Sequence, residues 1–188
     1  MFMLESDYVE NWAYSDNVFN SNECKKIIDI GKSLILQDAF VHDNKINKDI
    51  RDSKVSWIYP NDNTHWIFER VTAAIKYLNN NFFKFDLFGL AEGFQFTEYA
   101  APGNFYGMHI DKIFLGAVRK LSITIQLSDP NDYVGGELAI MLDKDPIILP
   151  KEYGKLVCFP SYVLHEVRPV TEGTRYSLVA WVTGKPFK

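Results

Sequence analysis

Residues 119–128, Arg-Lys-Leu-Ser-Ile-Thr-Ile-Gln-Leu-Ser, alternate without interruption. In an extended chain Leu121, Ile123, Ile125 and Leu127 point one way, and Ser122, Thr124, Gln126 and Ser128 point the other. A strand with one apolar and one small polar face needs a second layer over its apolar side. Two upstream segments have the spacing to supply it. Ser21 to Gln37 reads as a helix with Asn20 as cap and Glu23 as its capping-box partner. Its apolar stripe is Cys24, Ile27, Ile28, Gly31, Leu34 and Ile35. Thr64 to Asn80 reads as a second helix, with Ile67, Phe68, Val71, Ile75 and Leu78 on one face and Asn79, Asn80 and Asn81 ending it.

Other stretches carry the strand period. They are Ser53 to Tyr59, Gly93 to Tyr99, Glu137 to Leu142, Leu156 to Phe159 and Tyr176 to Thr183, with a turn-rich loop over 129–136 in which Gly135 and Gly136 serve the turn. Short strands separated by turn signals predict an antiparallel sandwich or jelly roll. The expected fold class is α+β, mainly β, with the helices packed outside. One domain is expected over 1–188: a helical part over 1–90 and a strand-rich core over 91–188.

Composition narrows the function. Twenty basic against twenty-four acidic residues give a net charge of −4, so no basic face for nucleic acid is indicated. Aromatic residues make up 15% of the chain, which suits strands and aromatic-lined pockets. Cys24 and Cys158 form no CxxC pair and read as free buried thiols of a reducing compartment. The first residues lack a basic, then apolar, leader pattern. Apolar runs reach only about ten residues, too short to cross a bilayer. The expectation is a cytoplasmic protein without a membrane partner; nothing in the sequence assigns an oligomeric state.

Of the four histidines, His42 and His65 lie in polar, turn-rich stretches and read as exposed. His109-Ile-Asp111 is different, because residues two apart on a strand share a face and can reach one metal ion. Chance alone gives about 0.3 His-x-Asp triplets in a chain of this composition, so the triplet needs support. His165 supplies it, closing the run Leu156-Val-Cys-Phe-Pro-Ser-Tyr-Val-Leu-His165. Two imidazoles and one carboxylate form the facial set that leaves open positions on a non-haem Fe(II). Arg175 follows ten residues later with Ser177 beside it, a guanidinium and hydroxyl suited to a carboxylate. A metal triad with a carboxylate clamp matches the needs of 2-oxoglutarate.

At these residues the chain resembles a known family. Tyr99, Tyr106-Gly-Met-His109-Ile-Asp111, Arg119-Lys-Leu-Ser-Ile-Thr-Ile-Gln-Leu-Ser-Asp-Pro, Gly135-Gly-Glu-Leu, and Phe159-Pro-Ser-Tyr-Val-Leu-His165 through Arg175-Tyr-Ser-Leu-Val-Ala-Trp are similar to the Fe(II)/2-oxoglutarate dioxygenases. The nearest branch is the prolyl 4-hydroxylase-like group with its bacterial and phage PKHD-type members. The resemblance spans about residues 92–186 and implies a double-stranded β-helix, the jelly roll. It implies Fe(II) on His109, Asp111 and His165, and the distal carboxylate of 2-oxoglutarate on Arg175, assisted by Tyr99 and Ser177. O2 is the second cosubstrate and ascorbate an accessory reductant. The implied reaction couples decarboxylation of 2-oxoglutarate to C–H hydroxylation, with a peptidyl proline as the leading substrate. A free amino acid or other small molecule is an alternative substrate, and a non-catalytic metal-binding jelly-roll module an alternative function. Tyr106 and Trp181 are candidates for the substrate pocket. Arg51 sits where a substrate-covering loop would lie, though a solvated loop charge is the plainer reading.

Overall fold

The computed structural model describes residues 8–41, 45–111 and 118–186. Two antiparallel sheets face each other across a wedge of side chains, the jelly-roll arrangement. In chain order the elements are β1 (Ala13–Ser15), α1 (Ser21–Ser33), β2 (Gln37–Asp38), β3 (Arg51–Asp52), β4 (Lys54–Ile58), α2 (His65–Leu78), β5 (Leu87–Leu90), β6 (Phe94–Ala100), β7 (Phe105–His109), β8 (Arg119–Gln126), β9 (Tyr133–Gly135), β10 (Leu138–Met141), β11 (Ile147–Ile148), β12 (Leu156–Pro160), β13 (Leu164–Val167) and β14 (Val170–Gly184). The larger sheet runs β1-β12-β8-β14-β6-β4-β2, with β5 and β9 paired to opposite ends of the long β14. The smaller sheet runs β11-β10-β13-β7-β3.

The alternation over 119–128 organises the molecule. Leu121, Ile123 and Ile125 meet Phe94 and Phe96 of β6, Leu178, Ala180 and Val182 of β14, and Leu156 and Cys158 of β12 in one buried core. Cys24 and Ile27 of α1 and Ile67, Val71, Ile75 and Leu78 of α2 cover it from outside. Both cysteines are free and buried, and burial pushes the Cys24 thiol up to about 12. A smaller core lies between the sheets, built from Tyr99, Tyr133, Leu138, Ile140, Val157 and Phe159 among others. Among the described residues no helix is long and apolar enough to cross a membrane.

Several boundaries differ from the sequence reading for identifiable reasons. The capping box on α1 forms as expected: Glu23 N–H donates to Asn20 Oδ1 at 3.0 Å, and Asn20 N–H to Glu23 Oε2 at 2.9 Å. Yet α1 ends at Ser33, not Gln37. Ser56 Oγ donates to the Gly31 carbonyl at 2.8 Å and Ser33 Oγ to that of Ile30 at 2.7 Å, so side chains occupy the last carbonyls. Leu34 turns extended, and Leu34 and Ile35 are exposed. Gly31 brings α1 onto the sheet, since a Cβ there would lie 2.3 Å from the Phe96 ring. Asn79, Asn80 and Asn81 do not stop α2; they continue it as a single π-type turn over Asn79–Phe83, closed by Lys84 at φ 55°.

The first ninety residues are not only helical. They supply β1, β2, β4 and β5 to the larger sheet and β3 to the smaller one. The run Leu156 to His165 is two strands in different sheets, joined by a corner over 161–163. That corner sets up the chemistry, because it carries the chain from the central sheet to a position beside β7. His65 is exposed and paired with Glu69 at 3.2 Å; His42 lies outside the described residues.

Candidate active site

His109 ends β7, and His165 stands directly opposite it on β13 in the antiparallel register. Their ring centroids are 4.1 Å apart. Asp111 lies just beyond the strand, held by its backbone N–H donating to the Ser161 carbonyl at 3.0 Å. Its two carboxylate oxygens divide between the imidazoles: Oδ1 is 3.5 Å from His109 Nε2 and Oδ2 is 3.4 Å from His165 Nε2. One ligand atom from each of the three lies within 4.8 Å of the others. These separations exceed those of charge-assisted hydrogen bonds, about 2.7–2.9 Å, so the groups converge without closing on each other.

The tautomers follow from the second nitrogens. His109 Nδ1 is 2.8 Å from the Gly107 carbonyl and His165 Nδ1 is 2.9 Å from that of Val163. A carbonyl only accepts, so each Nδ1 carries the proton and a neutral ring presents its Nε2 lone pair to the shared centre. Electrostatics keep the carboxylate ionised. Burial alone lifts the Asp111 carboxyl, but the nearness of both imidazoles, His165 first, whose protonated forms it would pair with, holds it well below the usual carboxylate range. Burial pulls the His109 ring down; at His165 burial is again the largest single effect, but the Asp111 charge and the contacts to Asp111 and the Val163 carbonyl together exceed it and raise the ring. Two lone pairs and one anion aimed at one point make a cation site of imidazole and carboxylate type.

A supporting residue escaped the sequence reading. Ser122 Oγ donates to Asp111 Oδ2 at 2.7 Å and lies 3.0 Å from Ser161 Oγ. Such partners orient a ligand, and their loss typically costs about 10- to 100-fold in metal affinity. Ser122→Ala is therefore expected to weaken Fe(II) or Mn(II) binding about 10-fold or more without unfolding the protein, as read by metal titration and circular dichroism.

Tyr106 stacks on His109 with ring centroids 3.5 Å apart, and burial pushes its phenol up to about 12. Arg51 caps the stack, its guanidinium 4.5 Å from the Tyr106 ring. The reading of Arg51 as a solvated loop charge is overturned: it lies on β3, is 7% exposed, and donates from Nε to Ser53 Oγ and from Nη2 to Gln95 Oε1, both at 2.9 Å. β3 pairs with β7 so that Arg51 faces Tyr106.

Arg175 sits within β14 opposite Tyr99 of β6, not at a strand start. It is 1% exposed. Nη2 donates to Gln126 Oε1 at 3.0 Å and Nη1 to Ser177 Oγ at 3.3 Å, while Nε has no partner. The guanidinium also faces the Tyr99 ring at 5.4 Å. Among the described residues no carboxylate forms a salt bridge to it. A buried cation with neutral acceptors and one idle N–H is a seat for an anion.

A cavity of about 630 Å3 opens on the metal cluster. Its wall includes Arg51, Tyr106, Trp57, Trp181, Arg119 and Tyr99, but not Arg175, Ser177 or Gln126. Tyr99 is the residue that both lines the cavity and faces the clamp. Trp181 was anticipated; Trp57, Arg119 and Glu92 were not. The Arg119 guanidinium stacks 3.9 Å from the Trp181 ring and pairs with Glu92 at 2.8 and 3.0 Å. Trp57 leans on Trp181 at 6.3 Å. Arg119 Nε and Trp181 Nε1 are buried without partners. The period-two pattern had placed Ser122, Thr124 and Gln126 on one face, and extended to Lys54–Ile58 it would also have marked Trp57.

A jelly roll with two histidines on its smaller sheet, an aspartate just past its edge, and a buried arginine on its larger sheet has the ligand set and anion seat of the non-haem iron oxygenases that use a keto acid. The donor set fits Fe(II), and the idle Nε of Arg175 fits the distal carboxylate of 2-oxoglutarate. Residues 94–183 match the model of the 2OG-Fe(II) oxygenase superfamily, bearing out the resemblance read from the motifs. A PKHD-type hydroxylase of Prochlorococcus marinus is 41% identical over 91 residues, covering 48% of this chain and 41% of the relative. The chain thus spans less than half the length of that relative. Among solved structures, a Trichoplax adhaerens prolyl hydroxylase in complex with a hypoxia inducible factor peptide superposes with a TM-score of 0.79 at 19% identity, covering 93% of this chain and 84% of that one. A Pseudomonas putida prolyl-4-hydroxylase gives a TM-score of 0.70 at 23% identity, covering 94% of each. At these identities the likeness establishes the fold.

Proposed function

We propose that this chain is an Fe(II)- and 2-oxoglutarate-dependent hydroxylase of a peptidyl residue, with proline the leading substrate. The carrying observation is the convergence of His109 Nε2, Asp111 and His165 Nε2 on one point at the wall of a deep cavity. Iron and 2-oxoglutarate, when bound, supply O2 chemistry in which the keto acid is oxidised to succinate and CO2 and one oxygen atom enters a substrate C–H bond. The chain's own groups do the rest. His109, Asp111 and His165 hold the ion from one side, and Ser122 fixes the carboxylate. Arg175, with Ser177 and Tyr99 near it, anchors the far end of the keto acid, which must pass Tyr99 to reach it. The stack of Arg51, Tyr106 and His109 keeps one imidazole from rotating. Trp57 and Trp181 offer apolar faces to a ring-shaped side chain, and the idle donors Arg119 Nε and Trp181 Nε1 suit a peptide carbonyl.

The whole of 1–188 acts as one catalytic unit in this reading, since strands from the first ninety residues complete both sheets. Two free buried thiols fit a cytoplasmic setting. The test is a library of proline-containing peptides and free amino acids, incubated with Fe(II), 2-oxoglutarate, O2 and ascorbate. The expected result is a +16 Da peptide product with matching succinate. Product from free amino acids alone would move the substrate to the small-molecule class. Absence of succinate, together with no visible charge-transfer band on anaerobic addition of Fe(II) and 2-oxoglutarate, would leave a metal-binding module.

A further inference from the structure

We propose that Arg51 selects a substrate carrying a carboxylate close to the carbon that reacts; this rests on the hydroxylase reading and adds a charge to its substrate. The charges along the cavity wall lead there. Among the described residues, the wall's permanently charged or acidic side chains are Arg51, Glu92, Asp111 and Arg119. Glu92 and Arg119 cancel, held together at 2.8 and 3.0 Å. His109 and His165 present neutral rings when they hold a metal. In the loaded site, Asp111 and the two carboxylates of 2-oxoglutarate match the charges of Fe(II) and Arg175. The cation left over is Arg51.

Its partners hold the guanidinium without cancelling it. Nε and Nη2 donate to neutral oxygens of Ser53 and Gln95, both at 2.9 Å, and Gln95 Oε1 is shared with the Thr97 hydroxyl at 3.4 Å. Nη1 has no partner among the described residues, which leaves that end for a ligand. Asp52, next in the chain, points to the other face of the sheet and pairs with Lys48 at 3.5 Å. The Tyr106 ring, 4.5 Å away, attracts the cation but brings no negative charge. Burial also keeps bulk water and salt from screening it. Arg119, balanced by Glu92, suits a neutral carbonyl; Arg51 suits an anion. Its reach is set by the stack: 4.5 Å to the Tyr106 ring and 3.5 Å from there to His109 keep the guanidinium within about 8 Å of that imidazole. An extended chain advances about 3.3–3.6 Å per residue, so the carboxylate belongs to the reacting residue or to one within about two of it. Its source is an acidic side chain beside the target or the terminal carboxylate of the target itself.

The test compares acids with their amides. The probes are capped proline peptides with glutamate, glutamine or lysine at each of the neighbouring positions, a peptide ending in proline as free acid and as amide, and L-proline with prolinamide. Affinity is read by isothermal titration calorimetry on protein loaded with Mn(II) and 2-oxoglutarate, and kcat/KM by +16 Da product with Fe(II). In at least one pair the acid should be favoured over its amide by about 30-fold or more, with lysine weakest. A preference for glutamate over glutamine assigns the carboxylate to a side chain, and one for free acid over amide to a terminus. Arg51→Gln should bring that ratio to within about threefold of one, and Arg51→Lys should keep it within about 10-fold of the wild type's. Loosening of the stack on His109 weakens acid and amide alike and cancels in the ratio. If Arg51→Gln does not fold, the wild-type ratio decides, and it should shrink as salt is added. Acid and amide handled equally in every pair, or a preference that Arg51→Gln retains, would overturn the role of Arg51 and leave the hydroxylase standing. No binding and no succinate with any probe would overturn both.

Discussion

Asp111→Asn is expected to abolish 2-oxoglutarate turnover and to weaken Fe(II) or Mn(II) binding by more than about 100-fold. The substitution keeps shape and removes the cluster's one negative charge. Ser122 Oγ, which donates to Asp111 Oδ2 at 2.7 Å, can still donate to an amide oxygen, but then the amide nitrogen faces an imidazole Nε2. A lone pair that should meet the metal meets a hydrogen-bond donor instead. The metal-free proteins should also differ with pH. The Asp111 carboxyl is held below its ordinary 3.8, so its contribution to stability is present above that value and lost as pH falls. The His165 ring is raised above its ordinary 6.5 by the same contact, so its contribution is present below 6.5 and lost as pH rises through the folded value. The thermal midpoints of metal-free wild type and Asp111→Asn should therefore lie furthest apart between about pH 4 and 6.5 and approach each other as pH rises through the raised value of the His165 ring. Metal-loaded wild type should behave oppositely, losing metal in acid, because the imidazoles bind it only when neutral. Equal midpoints across that range, or metal affinity unchanged at pH 7.5, would remove Asp111 from the centre of the site.

The site was legible where a short chain segment fixes the geometry. His109 and Asp111 are two residues apart, and Arg175 and Ser177 share a strand face, so spacing alone brings each pair together. What spacing does not give is the partner strand. Arg51 reads as a loop charge because nothing local shows that two residues, Arg51 and Asp52, pair with β7 and set the guanidinium over Tyr106. The corner after Pro160 hides in an apolar run because Tyr162 and Leu164 are apolar though exposed, so the residues past the fully buried β12 show no polar break. Period two told correctly which sides of residues 119–128 differ. It could not tell that the polar side lines a catalytic wedge, because Ser122 acquires its meaning from Asp111 and Gln126 from Arg175, each on another element. The α1 overshoot has the same origin: Leu34 and Ile35 fit the helical stripe, and only the sheet, through Ser56 and Phe96, ends the helix early. Periodicity reports which face is buried; tertiary pairing decides against what.

Arg175→Met should cost 2-oxoglutarate affinity roughly 30- to 4000-fold, the equivalent of about 2–5 kcal/mol for truncating one partner of a buried charge pair. Methionine keeps the length of the stem, which packs against the backbone at Gly136, where an added Cβ would lie 3.0 Å from Arg175 Cδ. The unliganded protein should scarcely notice. Two hydrogen bonds, to Gln126 and Ser177, are lost, but so is a buried cation with an idle Nε. These oppose each other, since an unpaired buried charge is itself destabilising. The thermal midpoint without ligand should stay within a few degrees of the wild type, roughly the shift that about 1 kcal/mol produces in a domain of this size. What disappears is the response to ligand. Millimolar 2-oxoglutarate with Mn(II) should raise the wild-type midpoint by an amount that grows with the logarithm of its concentration above Kd, and leave that of Arg175→Met where Mn(II) alone puts it. Arg175→Lys separates charge from geometry: a single ammonium cannot serve Gln126, Ser177 and a carboxylate in one plane, so it should fall between the two, about 10-fold weaker than arginine. If Arg175→Met instead unfolds the protein while 2-oxoglutarate still stabilises Arg175→Lys at wild-type concentrations, the arginine is a structural strut, and the anion seat of this fold must be sought among the donors that face the cavity, Arg119 first.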